Sequence, residues 1–121
     1  MFDLHRHTEF SLFDGFGKAE TLAKVAKQNG HTALGISDHG TVSGLIDHYF
    51  ACKSEGIKPI LGCECYYQSE FDTNAKSYHL CLYAKDVEGY RNLNKIVTAA
   101  NRDSFYYNAK VTDELLQKYH M

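Results

Sequence analysis

An α/β fold built on a parallel sheet is what this sequence predicts, and two observations predict it. Strand-like and helical segments alternate along the chain, in the order βαβαβ, loop, βα, then a tail helix. The helical segments repeat their apolar residues at helical spacing, whereas the strand-like ones are short apolar runs bounded by turn residues.

Residues 2–7 (FDLHRH) read as a short strand running into a polar, glycine-containing loop at 8–17. Residues 18–29 read as a helix, with Ala19, Leu22, Ala23 and Ala26 on one face and Gly30 as its stop. TALGIS at 32–37 is a buried strand, followed directly by Asp38, His39 and Gly40. From 41 to 55, Val42, Leu45, Ile46, Tyr49 and Phe50 form an apolar stripe, so a strongly amphipathic helix closed by Gly56 is expected. The next strand is 57–68, with Pro59 at its opening because proline donates nothing to a ladder. A loop at 69–77 leads to a strand at 78–84. Asp86 is a good N-cap for a helix to about Ala100, with Val87, Tyr90, Leu93 and Val97 facing inward. Residues 102–111 read as irregular, and Thr112-Asp113 caps a last short helix carrying Leu115 and Leu116.

The 121 residues suit one modest domain, and 44% hydrophobic with 23% charged residues is ordinary globular usage. A net charge of −2 offers no basic excess to grip a nucleic-acid backbone unaided. Bound divalent ions would change that sum. No apolar run approaches the roughly 20 residues that cross a bilayer, so no membrane association is expected. The opening MFDLHRHTEF lacks the pattern of a signal peptide. Cys52, Cys63, Cys65 and Cys81 lack structural-zinc spacing and read as reduced cysteines of a cytoplasmic protein.

The polar residues gather near strand ends, where α/β folds carry their chemistry. His5 and His7 are two apart in a strand, so both imidazoles project from one face and can clamp an ion. His39 follows the second strand, Glu64 lies within the third and His79 opens the fourth. Asp14 sits in the first loop before a glycine, and Asp38 is placed to hold the His39 imidazole from behind. Each has a plainer alternative. The two strand histidines can simply be hydrogen-bonded, Asp14 can be a turn residue, Asp38 a helix cap and His79 a neutral core histidine. Glu64 is the exception, because an unpaired carboxylate among Ile60, Leu61, Cys63 and Cys65 would cost several kcal/mol. His31, His48 and His120 are assigned no role. Mixed histidine and carboxylate ligands suit zinc, manganese or iron better than magnesium or calcium. Multinuclear sites of this kind hydrolyse phosphate esters. No serine or cysteine is placed as a nucleophile, and no glycine-rich phosphate loop is present.

LHRHTEFSLFDG resembles the opening motif of the PHP (polymerase and histidinol phosphatase) family, and GISDHG resembles its second. GIKPILGCECY, YHLCLYAKDVEGYRNL and SFYYNAKVTDELLQKYH are similar to consecutive segments of that domain in the alpha subunit of bacterial DNA polymerase III. The resemblance runs over essentially the whole chain. It implies that His5, His7, Asp14, His39, Glu64 and His79 are ligands of a di- or trinuclear centre. His5 and His7 would share one ion and Glu64 would bridge, with Asp14, His39 and Glu64 as the catalytic residues. It also implies a distorted seven-stranded β/α barrel, of which residues 1–121 are about the first half. The family's later ligands, a Cys or His and an Asp-x-His, have no counterpart in the sequence.

The function this implies is a metal-dependent phosphoesterase segment, linked to 3′–5′ exonuclease proofreading by the intact family domain. A non-catalytic structural module with a partial metal site is the first alternative, and a small-molecule phosphatase is the second. Open strand edges further imply self-association, or a chain that supplies the missing half barrel. DNA would be met through the intact polymerase.

Overall fold

The computed structural model describes residues 1–120. Its elements are β1 (Phe2–Asp3), α1 (Ala19–Gln28), β2 (Ala33–His39), α2 (Leu45–Glu55), β3 (Lys58–Tyr67) and β4 (Tyr78–Tyr83). Then come α3 (Val87–Asp103), β5 (Phe105–Tyr106), β6 (Asn108–Val111) and α4 (Asp113–Tyr119). β1, β2 and β3 are parallel neighbours, and β6 runs parallel to the end of β3. The sheet curls into a half barrel of βα units. No helix among the described residues is long and apolar enough to cross a membrane.

Strand alternation divides the sheet into two chemical faces. Leu34, Ile36, Cys63 and Cys65 are buried on the outer face. Ile36, Cys63 and Cys65 pack with Leu93, Ile96 and Ala100 of α3, while Leu34 joins the small side chains Ala19, Ala23, Ala26 and Ala51 of α1 and α2. The other set, Ser37 and His39 with Glu64 and Tyr66, lines the concave face. Asp86 caps α3 as expected, its carboxylate accepting from Gly89 N at 2.8 Å.

Four local expectations change. The first strand pairs only through Phe2 and Asp3, yet the chain stays against β2 as far as residue 6. Ser37 N donates to the Arg6 carbonyl at 2.8 Å, and Arg6 N to Ser37 Oγ at 3.1 Å. Gly35 permits this close run, since a Cβ there would stand 2.6 Å from the Leu4 carbonyl oxygen. β4 is antiparallel to β3 rather than one more parallel strand. The ten residues between them, 68–77, hold no helix and are too short for a crossover. Buried Gln68 ties that connection together, accepting from Asp72 N and donating to the Asp72 and Ala75 carbonyls. Residues 102–111, read as irregular, instead complete α3 and form the β5–β6 hairpin.

The fourth change is the face of α2. The helix starts at Leu45, and Leu45, His48, Ala51 and Cys52 point inward while Ile46, Tyr49 and Phe50 are exposed. Small residues let α2 approach α1 closely, and His48 closes the remaining polar gap by meeting the Leu34 carbonyl at 2.9 Å. Burial holds the His48 imidazole below its ordinary pKa. It also pushes the Cys52 thiol up to about 11, leaving that cysteine unreactive at neutral pH.

A histidine kept neutral by folding makes stability depend on pH in a fixed direction. The unfolded chain takes a proton near pH 6.5 that the folded chain refuses, so His48's contribution is full above that pH. It declines as pH falls toward the lowered folded value. The urea midpoint should therefore drop on acidification below about pH 6.5. His48→Gln, which keeps a donor without titrating, should show a shallower drop. Parallel pH profiles for the two proteins would refute this role for His48.

Candidate metal centre

The centre is built around Glu64. Its position in β3 puts it on the concave face, yet it is only 3% exposed. Imidazoles surround it. His5 Nε2 lies 2.6 Å and His7 Nε2 3.2 Å from Oε2, with His39 Nδ1 at 3.9 Å. His79 Nδ1 lies 2.9 Å from the other oxygen, Oε1. The rings are packed against one another, His7 stacking on His39 with centroids 4.2 Å apart and His5 set edge-on to His7 at 5.2 Å. Asp14 reaches the far side of His39, its Oδ2 meeting Nε2.

These six side chains make three overlapping groups whose ligand atoms lie within 4.8 Å of one another: His5, His7 and Glu64; His7, Asp14 and His39; His39, Glu64 and His79. His7, His39 and Glu64 each belong to two groups. Two buried ring nitrogens, His7 Nδ1 and His39 Nδ1, have no hydrogen-bond partner. Nitrogens left without protein partners, mixed with carboxylate oxygens, are a donor set that fits divalent ions of intermediate softness.

The antiparallel turn of β4 explains His79. In a parallel strand the opening residue would lie at the far end of the sheet from the other ligands. Because β4 runs backwards, His79 instead faces Tyr66, two residues beyond Glu64 in β3. Cys81 pairs directly with Glu64 on the same face, and burial raises its thiol pKa. Tyr83 crosses over Gly62 and donates to the Leu4 carbonyl at 3.0 Å, flooring the centre.

Asp38 does something other than hold His39. Neighbours along a strand point to opposite faces, so its carboxylate cannot reach the imidazole beside it. It turns into the buried base of the 8–17 loop, where it accepts from Thr8 N at 2.5 Å, Thr8 Oγ1 at 2.6 Å and Ser11 Oγ at 2.8 Å. Ser11 Oγ in turn accepts from His39 N at 3.1 Å. Ser11 O receives Asp14 N and Gly15 N, and a Cβ at Gly15 would collide with the Thr8 carbonyl. One buried carboxylate thus fixes both the backbone of His39 and the turn that delivers Asp14. Thr8 and Ser11 are the members that the sequence did not disclose as functional, since hydroxyls in a polar loop look like any others. Tyr66, stacked 6.2 Å from His39 and set edge-on to His79 at 5.3 Å, is the other.

Residues 3–121 match the PHP domain family. The chain belongs to that family. It is 45% identical over 128 residues to the DNA polymerase III subunit alpha of Aquifex aeolicus, covering 96% of this chain and 11% of that protein. The same subunit of Helicobacter pylori is 42% identical over 120 residues, covering 96% and 10%. The chain thus spans about a tenth of the length of these relatives. Among solved structures, a protein of Bifidobacterium adolescentis assigned as a metal-dependent phosphoesterase aligns with a TM-score of 0.59 at 26% identity, over 84% of this chain and 34% of that one. An amidohydrolase from Chromobacterium violaceum, solved with sulfate and no metal, shares the fold at a TM-score of 0.59 and 21% identity, over 81% and 34%.

Removing the Asp38 carboxylate should unmoor the loop without touching a ligand atom. Asp38→Ala is expected to cost about 3 kcal/mol in a urea melt, because three donors lose a charged acceptor. It should also weaken metal binding about tenfold to a hundredfold, as loss of a ligand-orienting group does. Wild-type metal affinity in a folded variant would show that Asp38 has no part in holding the centre.

Proposed function

We propose that residues 1–121 are the opening portion of a PHP domain and supply its metal centre. The centre serves a phosphodiesterase that trims the terminal nucleotide of a DNA strand within a polymerase III alpha-like protein of the cytoplasm. The observation that carries this reading is Glu64, a buried carboxylate with four imidazoles within 3.9 Å. The names of the polymerase relatives and of the Bifidobacterium structure support the choice of phosphate ester over other substrates.

The ligand set favours zinc or manganese, with iron in the same chemical class. When bound, such ions supply Lewis acidity to a phosphoryl group and positive charge to its oxygens. This chain's residues divide the remaining work. Glu64 turns one oxygen toward His5 and His7 and the other toward His79, so it can join two ion positions. His39 is shared between the Asp14 and Glu64 sides, and Asp14, half-exposed at the rim, faces incoming substrate. Asp14, His39 and Glu64 are the residues we assign to the reaction, while His5, His7 and His79 hold the ions. Asp38 keeps His39 and Asp14 in register.

One observation favours a second reading, a structural module that binds metal without turnover. The side chains of His5 and His79 are 58% and 55% exposed, so these edges of the ligand shell stay open to solvent and further ligands. Open sheet structure points the same way. Among the described residues β4 pairs only with β3, which leaves its other edge free for a strand from a second copy or from a segment completing the barrel.

Protein purified without chelator should contain zinc, manganese or iron by elemental analysis, and His7→Ala should contain less. With manganese or zinc and a labelled single-stranded oligonucleotide, the wild type should release 3′ nucleotides and His7→Ala should not. Metal without turnover would select the structural module, and protein free of metal would sink both readings. Sedimentation velocity of the same sample should show mass above 13.7 kDa if the β4 edge is occupied by a second copy. A monomer at every concentration would leave that edge to a segment completing the barrel.

A further inference from the structure

Tyr66 stands two residues beyond Glu64 in β3, on the same concave face. It therefore lies between the ligand cluster and the carboxyl end of the strand, the end where α/β folds of this kind carry their chemistry. Its ring is fixed by three neighbours. His79 meets it edge-on at 5.3 Å, His39 stacks against it at 6.2 Å, and the Lys110 ammonium stands over it at 5.9 Å. Its hydroxyl, by contrast, is unused. Tyr67 donates to Asp113 Oδ1 at 2.8 Å and Tyr83 to the Leu4 carbonyl at 3.0 Å. The Tyr66 hydroxyl has no hydrogen-bond partner among the described residues and is open to solvent. It is a donor held in place beside two of the imidazoles.

Lys110 adds charge at the same spot. It pairs in register with Tyr66 in the parallel β3–β6 ladder, so both side chains leave the sheet on one face. The residue is only 6% exposed. Its ammonium donates to the Tyr106 and Asn108 carbonyls at 2.8 Å, which uses two of its three N–H groups and holds the β5–β6 turn. It forms no ion pair among the described residues. A lysine this buried ordinarily has an acidic partner, and here the charge is left without a counter-ion.

We propose that Tyr66 is a substrate-binding residue whose hydroxyl donates to a phosphoryl oxygen of the ester at the ligand cluster. Lys110 is the positioning residue that holds its ring and favours an anion beside it. This rests on the phosphoester reading of the centre and adds a contact to phosphate made by the protein itself. A hydrogen bond to an ionised acceptor is about twice as strong as a neutral one. A ring already fixed by its neighbours also loses little freedom in making it. A net charge of −2 gives the chain no general attraction for anions, so an oriented donor and a local cation distinguish this part of the surface. Both groups would serve any oxyanion, and it is the ligand set of the cluster that selects phosphate.

The test titrates zinc-loaded protein with inorganic phosphate. Affinity is read by calorimetry, and tyrosine labelled with carbon-13 at Cζ lets each phenol report by NMR. The resonance missing from Tyr66→Phe should shift in the wild type as phosphate binds. That variant keeps the ring, so its zinc content and urea midpoint should be unchanged while it binds phosphate about tenfold more weakly. Lys110→Gln, which keeps a donor for the turn but no charge, should also bind phosphate less tightly, and Lys110→Arg should bind as the wild type does. The proposal is overturned if the Tyr66 resonance stays in place while phosphate binds, or if Tyr66→Phe matches the wild type. The part given to Lys110 is overturned if a folded Lys110→Gln matches the wild type, or if that variant fails to fold, since Lys110 would then serve the hairpin alone. Zinc-loaded wild type that binds no phosphate would defeat the phosphoester reading and this contact with it. Phosphate bound without help from Tyr66 would defeat the contact alone.

Discussion

A carboxylate placed near the middle of a sheet, between two buried cysteines, costs several kcal/mol unless positive charge or donors surround it. Glu64 occupies that position, and much of the architecture consists of ways to bring nitrogen to it. The first segment must run close enough over Gly35 for His5 and His7 to arrive from one side. β4 must double back so that His79 arrives from the other. The centre and the sheet are consequently inseparable, and the sheet register that pairs His39 with Glu64 is also the register that puts each of them in two of the three candidate ligand groups.

The two-residue period of a strand lets structural and chemical roles alternate without interference. In β2, Asp38 serves the buried loop base and His39 the concave face; in β3, Cys63 and Cys65 serve the core while Glu64 faces the imidazole cluster. A slip of one residue would exchange these roles throughout. The Asp38 hydrogen bonds to Thr8 and Ser11 guard against such a slip at the place where the chain leaves the sheet.

How much of this was legible depended on whether the deciding physics was local. The helix cap at Asp86, the glycine stop after α2 and the unusual burial of Glu64 follow from neighbours in sequence, and they read correctly. His79 was harder to place, because its location depends on the direction of β4, which is set by the length of the 68–77 connection and by Gln68. The α2 face was misread because Ile46, Tyr49 and Phe50 outweigh Ala51 and Cys52 in hydrophobicity. What decides the inward face is the close approach of α1, which favours small side chains. Asp38 was adjacent to His39 in sequence and therefore pointed away from it in space. The β5–β6 hairpin escaped notice because its turn rests on Tyr107 in a conformation that sequence patterns assign to glycine or asparagine.

The hairpin that returns His79 to Glu64 also divides the centre into a local and a long-range half. Those two residues are separated by only 15 positions (79 minus 64), whereas His5 and Glu64 are separated by 59. On chain-closure entropy alone the shorter loop is favoured by about 1.2 kcal/mol, roughly an eightfold preference. The β3–β4 half of the centre is therefore the half with the lower closure cost. The arm bearing His5 and His7 is held to it by two strand residues and by the contacts around Gly35 and Ser37. An ion held by the cluster would therefore be covered on its amino-terminal side by the part of the chain with the fewest contacts to the sheet.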